Sequence, residues 1–219
     1  MKTIPNINPS IQAALKFLSF LLLVSFLTAC ENEDPQKEDV PELITKATLT
    51  FTPEGTGGTV IATATDPDGE GVKDITVDGP INLAPNRTYK VTIALVNGLA
   101  SPTSDDYDIT KEVRQEGDEH MFFFSWTNDL FSNPAGNGNI DNRNDAVNYS
   151  GGTDSKDSNN RPLGLTTTWT TASTAAAPGG VLSGVFRVLL KHQPELKSDT
   201  STSGSGETDL DISFMVNIQ

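Results

Sequence analysis

Thr208–Ile218, TDLDISFMVNI, places Leu210, Ile212, Phe214, Val216 and Ile218 at every second position, with Asp209, Asp211, Ser213, Met215 and Asn217 between them. A strand turns successive side chains to opposite faces, so this alternation describes one buried face and one wet face. Glu207, Asp209 and Asp211 share the wet face of that reading, as like charges that solvent screens or that a cation would hold. The same period recurs upstream. Val181–His192 carries Leu182, Phe186, Val188 and Leu190 on one face, and Pro162–Thr170 carries Leu163, Leu165, Thr167 and Trp169. Thr88–Val96 carries Tyr89, Val91, Ile93 and Leu95, while Ala47–Thr52 and Thr59–Thr65 flank the turn-forming Pro53–Gly58. His120–Trp126, HMFFFSW, is the least ambiguous core segment. Asp106–Gln115 precedes it, with Glu116-Gly117-Asp118 read as the turn of a hairpin. Roughly eight to ten strands with Gly/Pro/Asn turns and almost no helix predict an all-β fold, an antiparallel immunoglobulin-like β-sandwich.

Two polar stretches interrupt the strands. Asn128–Arg161, rich in Asn, Gly, Asp and Ser, reads as an exposed insertion with a short strand at Ala146–Tyr149. Ser198–Gly206 reads as a second polar loop.

The front of the chain has a different logic. Lys16 is followed by an almost unbroken apolar run from Phe17 to Leu27, then Thr28, Ala29 and Cys30, the only cysteine. The run is shorter than the ~20 apolar residues that span a bilayer and has the layout of a cleaved export signal. Its Leu27-Thr28-Ala29-Cys30 ending resembles the lipobox of bacterial lipoproteins, which implies cleavage before Cys30 and lipidation of that residue. The expected organisation is a signal peptide over 1–29, an acidic tether over 30–45, and one β-domain over 46–219 with its polar insertion at about 128–161. Glu31–Pro41 is acidic and proline-containing, with too little apolar surface to order itself. It also resembles the surface-export signal of Bacteroidota lipoproteins, although any lipoprotein needs a polar spacer, so both faces of the outer membrane stay open.

Removing the 29 residues before Cys30 from 219 leaves 190 and takes away Lys2 and Lys16, so the formal charge falls from −14 to −16. Such a chain repels phosphate backbones and anionic headgroups, which argues against nucleic acid and leaves acyl chains as the membrane attachment. With Cys30 lipidated, neither a disulfide nor a cysteine nucleophile is available.

The chain has two histidines. The strand period puts His120 on the face of Phe122, Phe124 and Trp126, and His192 on that of Phe186, Val188 and Leu190. His120 begins its run and His192 ends its own, so antiparallel strands would bring both rings to one end of the sandwich. Glu207 reaches that end if 181–192 and 208–218 form a hairpin, and Glu116 and Glu119 are near in sequence. Two histidines and a carboxylate suit zinc or another divalent metal. Structural hydrogen bonding at strand ends is the competing reading. Asp66-Pro67-Asp68-Gly69-Glu70 is oxygen-rich enough for weak calcium binding through Asp66 and Asp68, yet lacks the full calcium-loop pattern and reads first as a turn. No Gly-x-Ser-x-Gly elbow or phosphate-cradling glycine loop is present, so an enzyme is not expected.

Several segments together resemble a family of small flavobacterial lipoproteins. They are the Leu-Thr-Ala-Cys ending, the acidic tether, Leu83–Leu95 in the form L-x-P-N-x-T-Y-x-V-x-I-x-L, Glu119–Phe124, Leu190–Pro194 and Gly206–Asp209. Members are often labelled as type 1 periplasmic binding fold proteins, a fold of parallel α/β lobes for which this chain lacks both length and helices. The resemblance marks His120, His192 and Glu207. It also implies work beside outer-membrane uptake channels. The expected function is therefore a lipid-anchored, outer-membrane binding lipoprotein, accessory to a transporter and holding a metal ion or small ligand. The alternative is a structural or adhesive surface module without a ligand site.

Overall fold

The computed structural model describes residues 42–69, 75–175 and 178–219. The export stretch, Cys30 and the tether as far as Pro41 lie outside them, as do residues 70–74 after Asp68. Among the described residues no helix is long and apolar enough to cross a membrane.

The elements are β1 (Lys46–Pro53), β2 (Val60–Thr65), β3 (Thr76–Val77), β4 (Ile81–Leu83), β5 (Thr88–Val96), α1 (Ile109–Gln115), β6 (His120–Asn133), β7 (Ala135–Gly138), β8 (Thr166–Thr171), β9 (Leu182–His192) and β10 (Glu207–Ile218). The all-β class read from the periodicity is the class observed. The strands follow one hydrogen-bonded path, β3-β2-β1-β5-β8-β6-β9-β10-β4, with β7 on β6. This differs from the expected purely antiparallel sandwich, because β4 joins β10 in parallel, Ile81 beside Val216 and Leu83 beside Ile218. These strands lie far apart in sequence, so no tight turn dictates their direction.

β6 joins the two halves of the path. Its first half, His120–Trp126, pairs with β9, and its far end, Phe131 and Asn133, meets β8. Between them Asn128 and Asp129 take left-handed backbone conformations (φ 58° and 50°), which Asn and Asp tolerate better than most residues and which bend the strand. The sheet curls far enough that β4 touches β2 and β3 touches β10. Inside lies one core in which Trp126, Trp169, Phe131 and Phe186 pack with ring centroids 4.8–6.5 Å apart. Each fully buried Phe in such a core contributes roughly 1.5–3 kcal/mol. The two indole N–H groups are satisfied by Gly136 O (2.7 Å) and Thr167 Oγ1 (2.8 Å).

Gly138 lies flat against the Trp126 ring, and a Cβ there would meet ring carbons at 2.1–2.6 Å. Gly138→Ala is therefore expected to cost about 1–3 kcal/mol in urea unfolding through overpacking. An unchanged midpoint would show that the ring yields freely.

Three expectations need correction. Residues 109–115, expected as part of a hairpin, form helix α1: the Asp108 carboxylate caps it by accepting from Lys111 N (3.2 Å), and Ile109 and Val113, one turn apart, are buried. The polar insertion does not start at 128, since β6 and β7 extend to 138. Nor is the rest simply exposed: Ile140 covers Met121, Phe123 and Leu189 on the outer face of β6 and β9. Ala146–Tyr149 is not a strand, although Asn148 O accepts from Thr168 N at 3.1 Å. The second polar loop is also held. Arg143 donates to the carbonyls of Ser198, Asp199 and Ser201 at 2.7–3.2 Å, while the buried Gln193 donates to those of Thr202 and Ser205 at 2.8 and 3.0 Å.

Candidate metal centre

The antiparallel register of β6 on β9 sets His120 directly opposite His192. Their rings stack at 4.6 Å between centroids, 5° from parallel. Both residues are buried, at 0% and 2% exposure. The sheet thus brings together the two histidines that the strand period assigned to one end.

Carboxylates from four segments of the chain converge on the pair. Glu119, one residue before β6, places Oε2 3.6 Å from His192 Nε2. Glu42, on the incoming chain, places Oε1 3.7 Å from His120 Nε2, and Asp209 places Oδ2 3.6 Å from the same nitrogen. Helix α1 brings Glu112, and Glu116 follows as its C-terminal cap; their i, i+4 spacing sets both on one side of the helix. One ligand atom each from Glu116, His120 and His192 lies within 4.8 Å of the others, and the same is true of Glu42, Glu112 and Glu116.

Glu207 is not the carboxylate that enters. It stands opposite His192 in register but is exposed. The register shifts between Thr208 and Leu210, and this β-bulge turns Asp209 inward, where its side chain has 0% exposure. The expected wet row of Glu207, Asp209 and Asp211 is thereby broken. Asp211 meanwhile makes a bidentate pair with Arg187 at 2.6 and 2.7 Å.

Burial, reinforced by the charges of Glu112, Asp209 and Glu116, pushes the Glu42 carboxyl up to about 8. Burial likewise raises Asp209 to about 7, against the lowering effect of the Glu42 backbone N–H that its Oδ1 accepts at 3.3 Å. Glu112 is also raised, mainly by burial. Burial among like charges thus favours the protonated forms of Glu42 and Asp209 near neutral pH.

The imidazole geometry suits coordination. His120 Nδ1 lies 3.2 Å from the Glu116 carbonyl, which can only accept, so Nδ1 carries the proton and Nε2 presents a lone pair in the neutral ring. Metal-bound histidines are commonly oriented by such a bond. The N···O separations of 3.6–3.7 Å are too long for hydrogen bonds. They approach the ~3.4 Å between two ligands of a tetrahedral ion with bonds of 2.0–2.1 Å. His192 Nε2 and Asp209 Oδ2 are buried with no hydrogen-bond partner among the described residues.

Asp66 and Asp68 sit elsewhere. Asp66 Oδ1 accepts from Asp68 N (3.3 Å) and Gly69 N (3.0 Å), closing a turn, and the Asp68 side chain is the main cause that lowers the Asp66 carboxyl below its ordinary range. Cys30 lies outside the described residues.

Comparison with protein-family models, with curated proteins and with solved structures finds no match.

Proposed function

We propose that this chain is a lipid-anchored lipoprotein of the outer membrane whose β-domain binds a divalent metal ion, with zinc the best fit, as a binding accessory to an uptake system. The observation that carries the metal assignment is the buried, stacked pair His120 and His192 with Glu116 in ligating range. Two imidazoles and a carboxylate form a mixed N/O set that favours zinc over calcium or magnesium. Glu119 is close enough to His192 to complete the coordination or to orient the ring. The lipid anchor is supported by Leu27-Thr28-Ala29-Cys30 and the tether that follows. The outer-membrane and uptake assignments rest on the resemblance to flavobacterial lipoproteins.

Native mass spectrometry of the chain extracted from membranes tests both parts. The expected mass carries acyl groups on Cys30 and one zinc. His192→Ala is expected to weaken zinc binding by roughly 10–100-fold or more, since loss even of a ligand's supporting bond costs that much. Binding unchanged in both His120→Ala and His192→Ala would remove the metal assignment, and an unmodified Cys30 would remove the anchor.

A further inference from the structure

We infer that the end of the domain bearing Leu43 and Leu99 rests on the bilayer that holds the anchor, with a zwitterionic lipid surface as its partner. Such docking rests on the lipid-anchor reading of Cys30 and does not depend on the metal.

Leu43 and Leu99 are 40% and 59% exposed. They lie together over Gly69, where a Cβ would meet Leu43 Cδ1 at 3.0 Å and Leu99 Cδ1 at 3.3 Å. Leu99 stands in the loop 97–104, which carries no charged residue. The backbone donors of that loop are satisfied within the protein. Gly98 N donates to Thr45 Oγ1 (2.7 Å), Leu99 N to Asn97 Oδ1 (3.1 Å) and Ala100 N to Asn97 O (3.2 Å). Its tip can therefore enter an apolar medium without stranding an amide. The Thr45 bond also fixes the loop to the segment that carries Leu43.

The position of this patch along the chain selects lipid as its partner. Leu43 comes two residues after Pro41, so the twelve residues 30–41 that link it to Cys30 span roughly 40 Å at full extension. The anchor thus holds both leucines within reach of lipid at high local concentration, where a contact too weak to recruit a free protein suffices. Val185 and Met215 form another exposed apolar pair, facing each other across β9 and β10, but they stand on strands that the tether does not enter. Lys46 borders one cleft with Leu99 and can lay its stem along apolar surface while its ammonium meets headgroup phosphates. Asp68, exposed next to Gly69, and the acidic charge of the whole chain select a zwitterionic over an anionic surface. Glu42, one residue before Leu43, reaches His120, so docking turns the histidine end of the domain toward the membrane.

The test uses the full-length acylated chain on vesicles of phosphatidylethanolamine and phosphatidylcholine. With Cys30 acylated, an introduced cysteine is the only thiol, so Ser101→Cys or Ser213→Cys can be labelled with an environment-sensitive fluorophore. Ser101 lies in the leucine loop, and Ser213 is exposed on the strand that carries Met215. At 101 the emission is expected to shift to shorter wavelength and to be quenched by nitroxide-bearing lipid; at 213 it should do neither. Leu99→Asp should abolish the shift at 101, with the acyl mass and the urea midpoint unchanged. Adding anionic phosphatidylglycerol should reduce the shift, and an increase would reject the zwitterionic surface. A label at 101 as solvated as the one at 213, or one that Leu99→Asp leaves embedded, overturns the docking and leaves the anchor intact. A mass without acyl groups on Cys30 overturns the anchor reading itself, and the docking with it.

Discussion

In metal-free buffer the domain is expected to lose stability as the pH rises from about 5 to about 8, opposite to ordinary acid denaturation. Glu42 and Asp209 hold their protons to about 8 and about 7 in the folded protein, whereas the same groups in the unfolded chain release them near 4.5 and 3.8. Across that window the folded state binds more protons than the unfolded state, so stability falls with pH. The contribution is fully present below the unfolded values and is lost as pH passes through the folded ones. Each pH unit of such a difference is worth about 1.4 kcal/mol, so the two groups together weaken the domain by several kcal/mol. Glu112, also raised, adds in the same direction. Asp66 and Asp105 are lowered from 3.8 and act oppositely, but only in stronger acid.

Urea unfolding in EDTA at pH 5 and pH 8 checks this. Glu42→Gln should flatten the dependence, and zinc, by replacing the protons, should restore stability at pH 8. Stability that is level or rises over this range would show that the cluster does not hold protons.

Lys197→Met is expected to destabilise the protein by about 3–5 kcal/mol, the range for breaking a buried ion pair by removing one partner. Lys197 Nζ sits 3.0 Å from Asp157 Oδ2, with both side chains at 0% exposure. The ammonium also donates to Gly117 O at 2.5 Å and His120 O at 2.7 Å, tying the loop after β9 to the start of β6. Its pKa is lowered, chiefly by burial, with Asp157 opposing the shift. The methionine would strand a charge on Asp157 and leave two carbonyls short of a donor. The double variant Lys197→Met/Asp157→Leu should recover most of the loss, since an apolar pair avoids the desolvation that the ion pair must offset. Equal loss in the single and double variants, measured by urea unfolding, would assign the effect to the carbonyl contacts instead. Because Asp157 belongs to the polar insertion, the pair also fastens that insertion to the domain.

The two histidines show how far local reading reaches. Period two put His120 with Phe122 and Phe124, and His192 with Val188 and Leu190; all four apolar partners lie in the core. Strand ends then determined that an antiparallel pairing would bring the rings together. Helix α1 was also legible in principle. Asp108 followed by Ile109 and Val113 is a cap with a one-turn apolar pair, but seven residues make a weak signal beside strong strands. Asp209 was not legible. A bulge inserts one residue against the partner strand and reverses which face that residue occupies, and nothing in TDLDISFMVNI marks where the ladder slips.

By itself, then, the sequence determined the all-β class, the main strands, and the apolar faces that carry the histidines. These follow from side-chain alternation, a property of neighbouring residues. Only the tertiary structure decided that β4 runs parallel to β10, that Lys197 meets Asp157, and that Glu42, Glu112, Glu116 and Asp209 surround one stacked imidazole pair. Such contacts join residues far apart along the chain, and their distances are set by how the curled sheet closes around its core, which no local period encodes.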